Sequence, residues 1–312
     1  MKKSILLFAA SLLAVAAAAQ SPEITIEQKA NSDYSVDIIA TKYPTGTYSV
    51  AIMFDNLQNT HQARKFYGII RSRQETLLKI KPAKAEESVG YSMLYWSLRG
   101  IVTIKPNTEF VYRLPYSAGK KATARSLGVM NKDLSSGNAP EGWRSVLFEL
   151  SQGDTVFATR RGLVVEVIDN QNPAPPVDDP ISFRSNVNQI IVEHMDGSYM
   201  RYSVLEKGSI TVKEGDIVYP DTPLGLAGSY GDGRYRLHLL MWSVEQNKQF
   251  SGKLDENPFH TRYLDPVFLS DLGTQVFVDN TEHTAVVTDE LITKEMPKRE
   301  QKDRSQKPAG KK

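Results

Sequence analysis

The chain has 312 residues, 40% of them apolar and 24% charged, with no cysteine. That length exceeds one average domain and can bury a core without cross-links. The lack of thiols excludes disulfides, thiolate zinc sites, iron–sulfur ligation and a cysteine nucleophile. A net charge of +2 gives no nucleic-acid signature.

Residues 1–19 read as a secretory signal. Lys2 and Lys3 precede an apolar run, Ile5 to Ala19, that ends in small residues. The run is about 15 residues, short of the ~20 a spanning helix needs. Cleavage after Ala19 is therefore expected. The mature protein, without a transmembrane span, is expected in the periplasm or outside the cell.

From Ile24 to Leu114 the pattern is mostly period two. Ile24–Gln28, Tyr34–Tyr43, Thr47–Phe54, Tyr91–Leu98 and Glu109–Tyr116 are rich in Tyr, Val, Ile and Phe, with turn clusters between several of them. Short strands at that spacing predict an antiparallel sandwich over residues 20–116. Gln74–Pro82 is compatible with strand or helix. Residues 117–142 lose periodicity and are rich in Gly, Ser and Asn, which predicts a connector.

A second β-rich block runs from Ser145 to about Val287, interrupted by a Pro/Asp loop at Asn170–Pro180. Asp196-Gly197 between apolar segments predicts a tight hairpin. From Lys294 to the end, eight Lys/Arg face three Asp/Glu, with Met296 and Ala309 the only apolar side chains beyond Pro and Gly. Residues 289–312 are accordingly expected to be a disordered basic tail, and the body before them is mildly acidic.

Within the second block an ordered series of segments stands out. It comprises Gly153–Ala158, Arg161–Val164, Asn188–Gly197, Arg201-Tyr202-Ser203-Val204-Leu205, Val212–Val218, Leu224–Gly231 and Arg236-Leu237-His238-Leu239. In order and spacing this series resembles the LytM/lysostaphin-type zinc metalloendopeptidase domain, which cuts peptidoglycan cross-links. The resemblance covers about Trp143 to Val244. The fold class it implies is all-β: an N-terminal β-sandwich followed by a LytM-like antiparallel β domain over 143–288. Gly162, Gly215, Gly225 and Gly228 are expected where a positive φ or close backbone approach is needed.

The resemblance also implies a site. The family's zinc ligands are an upstream His, an Asp four residues later and the last His of an H-x-H motif. A His in Y-x-H-L and the first His of H-x-H assist. Carried onto this sequence, these positions fall at Trp143, Leu147, His238, Val204 and Arg236. Only His238 keeps the family's residue, and no histidine lies between His61 and His194.

Zinc hydrolysis needs about three protein ligands and an open position for water, and one imidazole does not supply them. A fixed +1 on Arg236 some 5 Å from a +2 ion would repel it by roughly 6–7 kcal/mol at an effective dielectric of 20. Substitute donors exist in sequence at Glu149, Glu193, His194 and Asp232. His61, His260 and His283 sit in polar or turn-like segments and carry no expected role.

No catalytic role is therefore expected, and no cofactor. The degenerate groove is expected to bind peptidoglycan peptide or a cell-wall hydrolase. Arg236 and His238 would line it, with the Arg236 guanidinium holding a carboxylate and Tyr202 and Tyr235 as flat contact area. The alternative is an active zinc metalloendopeptidase with substituted ligands, in which zinc is the cofactor.

Overall fold

The computed structural model describes residues 24–127, 142–172, 187–253, 255–277 and 280–306. The expected signal at 1–19, much of the Pro/Asp loop and the last six residues lie outside them.

Six strands build the N-terminal sandwich: β1 (Ile24–Ala30), β2 (Val36–Lys42), β3 (Tyr48–Gln58), β4 (Lys65–Ile70), β5 (Gln74–Ile80) and β6 (Gly90–Arg99). They form two antiparallel sheets, β1-β2-β5 and β4-β3-β6. Alternating side chains from both sheets meet in one core that includes Ile38, Val50, Ile52, Phe54, Ile70 and Ile80. Each such fully buried side chain contributes about 1.5–3 kcal/mol. Gln74–Ile80, open in sequence, is a strand because Ile38 and Ile39 of β2 find their register on it.

The second domain has β7 (Val111–Arg113), β8 (Lys121–Leu127), β9 (Ser145–Leu150), β10 (Thr155–Phe157), β11 (Gly162–Ile168), β12 (Asn188–Glu193) and β13 (Tyr199–Leu205). It continues with β14 (Ile217–Val218), β15 (Pro223–Leu226), β16 (Gly228–Ser229), β17 (Tyr235–Gln246), β18 (Phe259–Leu264), β19 (Val267–Ser270), β20 (Gly273–Gln275) and β21 (Thr281–Thr284). Its main sheet runs β14-β11-β12-β13-β17-β9-β8-β21, with β16 and β18 also pairing with the long β17. One face of this sheet packs Phe148, Met200, Tyr202, Leu237, Leu239 and Met241 into the domain core. The β12–β13 hairpin turns at Asp196-Gly197 as expected, with Gly197 at φ 76°.

Three boundaries differ from the sequence expectation. Phe110, Tyr112, Leu114 and Tyr116 belong to the second core, not the sandwich. β7 pairs in parallel with β19, and the Tyr116 hydroxyl donates to the His283 carbonyl at 2.7 Å. The expected connector contains β8, which joins β9 to β21. Its pattern is easily missed because the side chains hidden on its inner face are only Ala122 and Ala124.

The expected disordered tail is ordered over its first part. It forms α1 (Asp289–Thr293) and α2 (Lys298–Gln306), with Leu291, Ile292 and Met296 buried. Thr288 caps α1 by accepting from the Leu291 amide. The apolar contribution is small, and ion pairs supply the rest. Glu295 takes Arg160 in a two-pronged contact at 2.6 and 2.9 Å, and Arg304 meets Asp221 at 2.6 Å.

The two domains are in contact. Glu193 accepts from the Thr47 amide at 2.8 Å and its hydroxyl at 2.6 Å, and Arg99 meets Glu166 at 2.7 Å. Trp96 and Leu98 of the sandwich pack towards Val244 and Trp242 of β17. No helix among the described residues is long and apolar enough to cross a membrane.

Candidate functional site

Strand alternation sets up the site. The register pairs His238 with Leu147 and Arg236 with Glu149 on β9, and His238 with Ser203 on β13. Residues directly opposite share a face, and so do residues two apart along a strand. Arg236, His238, Leu240, Leu147, Glu149, Ser203 and Arg201 therefore share the face turned away from the domain core. The sandwich covers one end of that face at Trp242 and Val244. The other end opens as a cleft of about 430 Å³ whose lining includes Arg125, Leu147, Glu149, Arg234, Tyr235 and Arg236.

The positions carried over from the resemblance converge. Leu147 lies cross-strand from His238. The Trp143 ring sits edge-on to the His238 ring, with centroids 6.0 Å apart. Arg144 anchors the Trp143 segment to Asp265 at 2.5 Å. Trp143 and Leu147 are both buried, so what they present to the imidazole is an apolar wall. His238 Nε2 is in hydrogen-bond contact with Ser145 Oγ at 2.6 Å. Burial, reinforced by the Arg201 charge, pushes the His238 pKa down to about 3. The ring is neutral at pH 7 and a poor base, so its contact with Ser145 does not make an activated nucleophile.

Val204 keeps an unusual backbone. Its φ is 69°, a region a β-branched residue rarely adopts, and it is 2% exposed. Gly228 lies against it. A Cβ at Gly228 would come within 2.7 Å of the Val204 carbonyl oxygen and the Leu205 carbonyl carbon. The backbone is therefore sharply bent at the position carried over from Y-x-H-L, where the side chain offers no proton.

Two expectations need correction. Tyr202 is not a groove residue: it is fully buried on the opposite face, and its hydroxyl accepts from the Thr159 amide at 2.9 Å. Arg236 is not a bare cation either. Asp232 pairs with it, and its guanidinium lies 5.1 Å from the Tyr230 ring. The repulsion argued from Arg236 alone is therefore reduced. Tyr235 does line the cleft.

Of the substitute donors, Asp232 pairs with Arg236 and Glu149 faces Arg125 at 3.9 Å, while Glu193 and His194 are engaged elsewhere. Glu193 serves Thr47, and His194 is buried against Ser198 with Asp196 and Arg160 around it. His283, expected in a turn-like segment, is a buried strand residue stacked on Phe277. Among the described residues, no three His, Cys, Asp or Glu side chains gather as a metal site. Trp143 and Leu147 carry no atom able to ligate zinc, so the residues present do not fit that metal.

The residue that sequence reasoning missed is Arg201, on the same face as His238 and close enough to depress its pKa. Its signal was parity: it stands two positions before Ser203, within a segment already singled out.

Residues 141–251 match the model for peptidase family M23. Residues 141–251 thus form an M23, LytM-type, domain on an all-β scaffold. Among solved structures, the chain is similar to a Ruminococcus gnavus LytM described as a glycyl-glycine endopeptidase. The identity is 16%, over 46% of this chain and 51% of that one, at a TM-score of 0.29. The chain thus spans about half the length of that protein. It is also similar to Csd3 of Helicobacter pylori, with 10% identity over 91% and 77% of the two chains and a TM-score of 0.30. A zinc-containing peptidase of Vibrio cholerae shows 14% identity over 69% and 81%, at a TM-score of 0.24. At these identities and scores the likenesses add nothing to what the family match establishes. No curated protein matches the chain.

Proposed function

We propose that this is an exported cell-envelope protein whose M23 domain binds peptidoglycan peptide, or regulates a cell-wall hydrolase, without cutting. One observation carries the reading. Trp143, Leu147 and His238, which stand at the three ligand positions, meet in one place, and two of them have no donor atom. The convergence supports the alignment, and the chemistry at those positions opposes zinc. Hydrolysis of a peptide bond further needs a polarised carbonyl and an activated water. A neutral imidazole held by Ser145 supplies neither. What remains is an open cleft with arginines and tyrosine at its rim, suited to binding.

The test is metal content and cleavage together. Protein purified without chelator is expected to hold far less than one zinc per chain, no more than its His238→Ala variant holds, and to release no fragments from cross-linked muropeptides. Wild-type protein should co-sediment with purified sacculi or with a wall hydrolase. Stoichiometric zinc lost on His238→Ala, with cleavage, would establish the enzyme reading instead.

A further inference from the structure

The open cleft carries one more positive charge than the carboxylates around it answer. Three guanidinium groups line it: Arg125 from β8, Arg236 from β17, and Arg234 from the turn just before β17. Two carboxylates meet them. Asp232 pairs with Arg236, and Glu149 faces Arg125. Among the described residues no acceptor meets the Arg234 guanidinium, although the amide of that residue donates to Asp232 at 3.1 Å. Arg234 is exposed, so the group is open to a solute. Arg125 is only partly answered. Its contact with Glu149, at 3.9 Å, is too long for a hydrogen bond, and its Nε is buried without a partner. The side chain as a whole is 41% exposed, so it too reaches solvent.

The free donors and the walls define the ligand. Arg234 offers an unopposed planar fork, which matches a pair of oxygens on one anionic group. The surplus in the cleft is a single charge, which suits a monoanion. Leu147, Leu150 and Tyr235 form apolar wall beside the cations, and they suit an aliphatic neighbour on the ligand rather than a hydrated inorganic ion. At about 430 Å³ the cleft has room for the end of a short peptide. Leu147 also stands cross-strand from His238, so the cleft continues from the place where the carried-over positions meet.

We propose that Arg234, seconded by Arg125, anchors the carboxylate of a peptide ligand in this cleft, with a small apolar residue of that peptide against Leu147 and Leu150. The inference rests on the peptide-binding reading above and moves the anchoring role away from Arg236, which Asp232 already holds. The carboxylate comes either from a peptide C-terminus or from an acidic side chain, and the probes chosen below separate the two.

The full mature chain is titrated by calorimetry with four probes: diacetyl-Lys-D-Ala-D-Ala as free acid, the same peptide as C-terminal amide, acetyl-Ala-Glu-Ala-amide, and diethyl phosphate. Binding of the free acid in preference to the others identifies a terminal carboxylate. Binding of the Glu peptide in preference identifies a side-chain one. Either is expected to weaken more than tenfold in Arg234→Gln and severalfold in Arg125→Gln. Arg234→Lys, which keeps the charge and loses the fork, is expected to fall between wild type and Arg234→Gln. Arg64→Gln, an exposed arginine of the sandwich, is expected to stay within twofold. Arg234→Gln removes no side-chain hydrogen bond or ion pair of the folded chain, so it is expected to fold as wild type does. Amide-terminated Lys peptide bound as well as both acids, diethyl phosphate bound more tightly than either acid, or undiminished binding in Arg234→Gln overturns the proposal. So does wild-type protein that co-sediments with sacculi and binds neither acid, although the broader reading then survives. No co-sedimentation with either sacculi or hydrolase by wild-type protein removes the broader reading itself.

Discussion

On the proposed reading, His238 keeps the residue of its position without the role of a ligand. A zinc-ligating imidazole is kept unprotonated by the metal. Here burial and the Arg201 charge do the same, holding its pKa at about 3. His194 is shifted in the same direction, by burial first and then by Arg160. A depressed histidine pKa means that the unfolded chain binds protons that the folded one refuses. Stability is therefore complete above the unfolded value near 6.5 and falls as pH drops below it. Each buried imidazole adds a slope of up to about 1.4 kcal/mol per pH unit. Urea unfolding between pH 7.5 and 5 is expected to show a falling midpoint, and His238→Gln should have a visibly shallower fall. A midpoint independent of pH over that range would contradict the neutral, buried assignment.

At the scale of elements, the C-terminal helices act as a clasp. Arg160, 2% exposed, lies under the Phe110 ring at 3.7 Å, between Asp196 at 2.7 Å and the two oxygens of Glu295. Burial alone would raise the Asp196 pKa, but Arg160 beside it prevails and holds the carboxyl below its ordinary value. The cluster ties β7, the β12–β13 hairpin and the turn between α1 and α2 together. Removing one partner from a buried ion pair strands the others, at a cost of about 3–5 kcal/mol. Glu295→Ala is expected to sit at the lower end, because Asp196 still answers Arg160, and Arg160→Ala at the upper end. Denaturant titration of the two variants checks the order. If both lie within ~0.5 kcal/mol of wild type, the helices do not dock in solution as they do here.

For the whole molecule, the proposed reading keeps the scaffold and removes the zinc chemistry. The backbone brings the three positions carried over from the resemblance together, with a positive φ at Val204 and a close approach at Gly228. If that geometry is sound, donors alone are missing. Trp143→His with Leu147→Asp should place two new ligands near His238. Adding Arg236→His frees the face of one cation and leaves Asp232 without its partner. The triple variant is expected to bind zinc at near one equivalent, where wild type and the double variant Leu147→Asp/Arg236→His do not. Equilibrium dialysis distinguishes them. Failure of the triple variant would show that Trp143 is not the true counterpart of the upstream ligand. Arg201, which remains charged nearby, sets a ceiling on the affinity gained.

The sequence by itself determined the two β-rich blocks and the hairpin at Asp196-Gly197, and it proposed the ligand positions. Each of these is written in local signals: period-two alternation, turn dipeptides and a linear series of motifs. Trp143, Leu147, Val204, Arg236 and His238 were legible for that reason. What lies far apart in the chain was decided only by tertiary structure. Tyr202 faces the core because strand parity and sheet packing, not residue type, choose the face. Glu295 reaches Arg160 across 135 residues, a contact that composition does not encode. Phe110–Tyr116 joins the second core because its partner strand, Val267–Ser270, lies some 150 residues later.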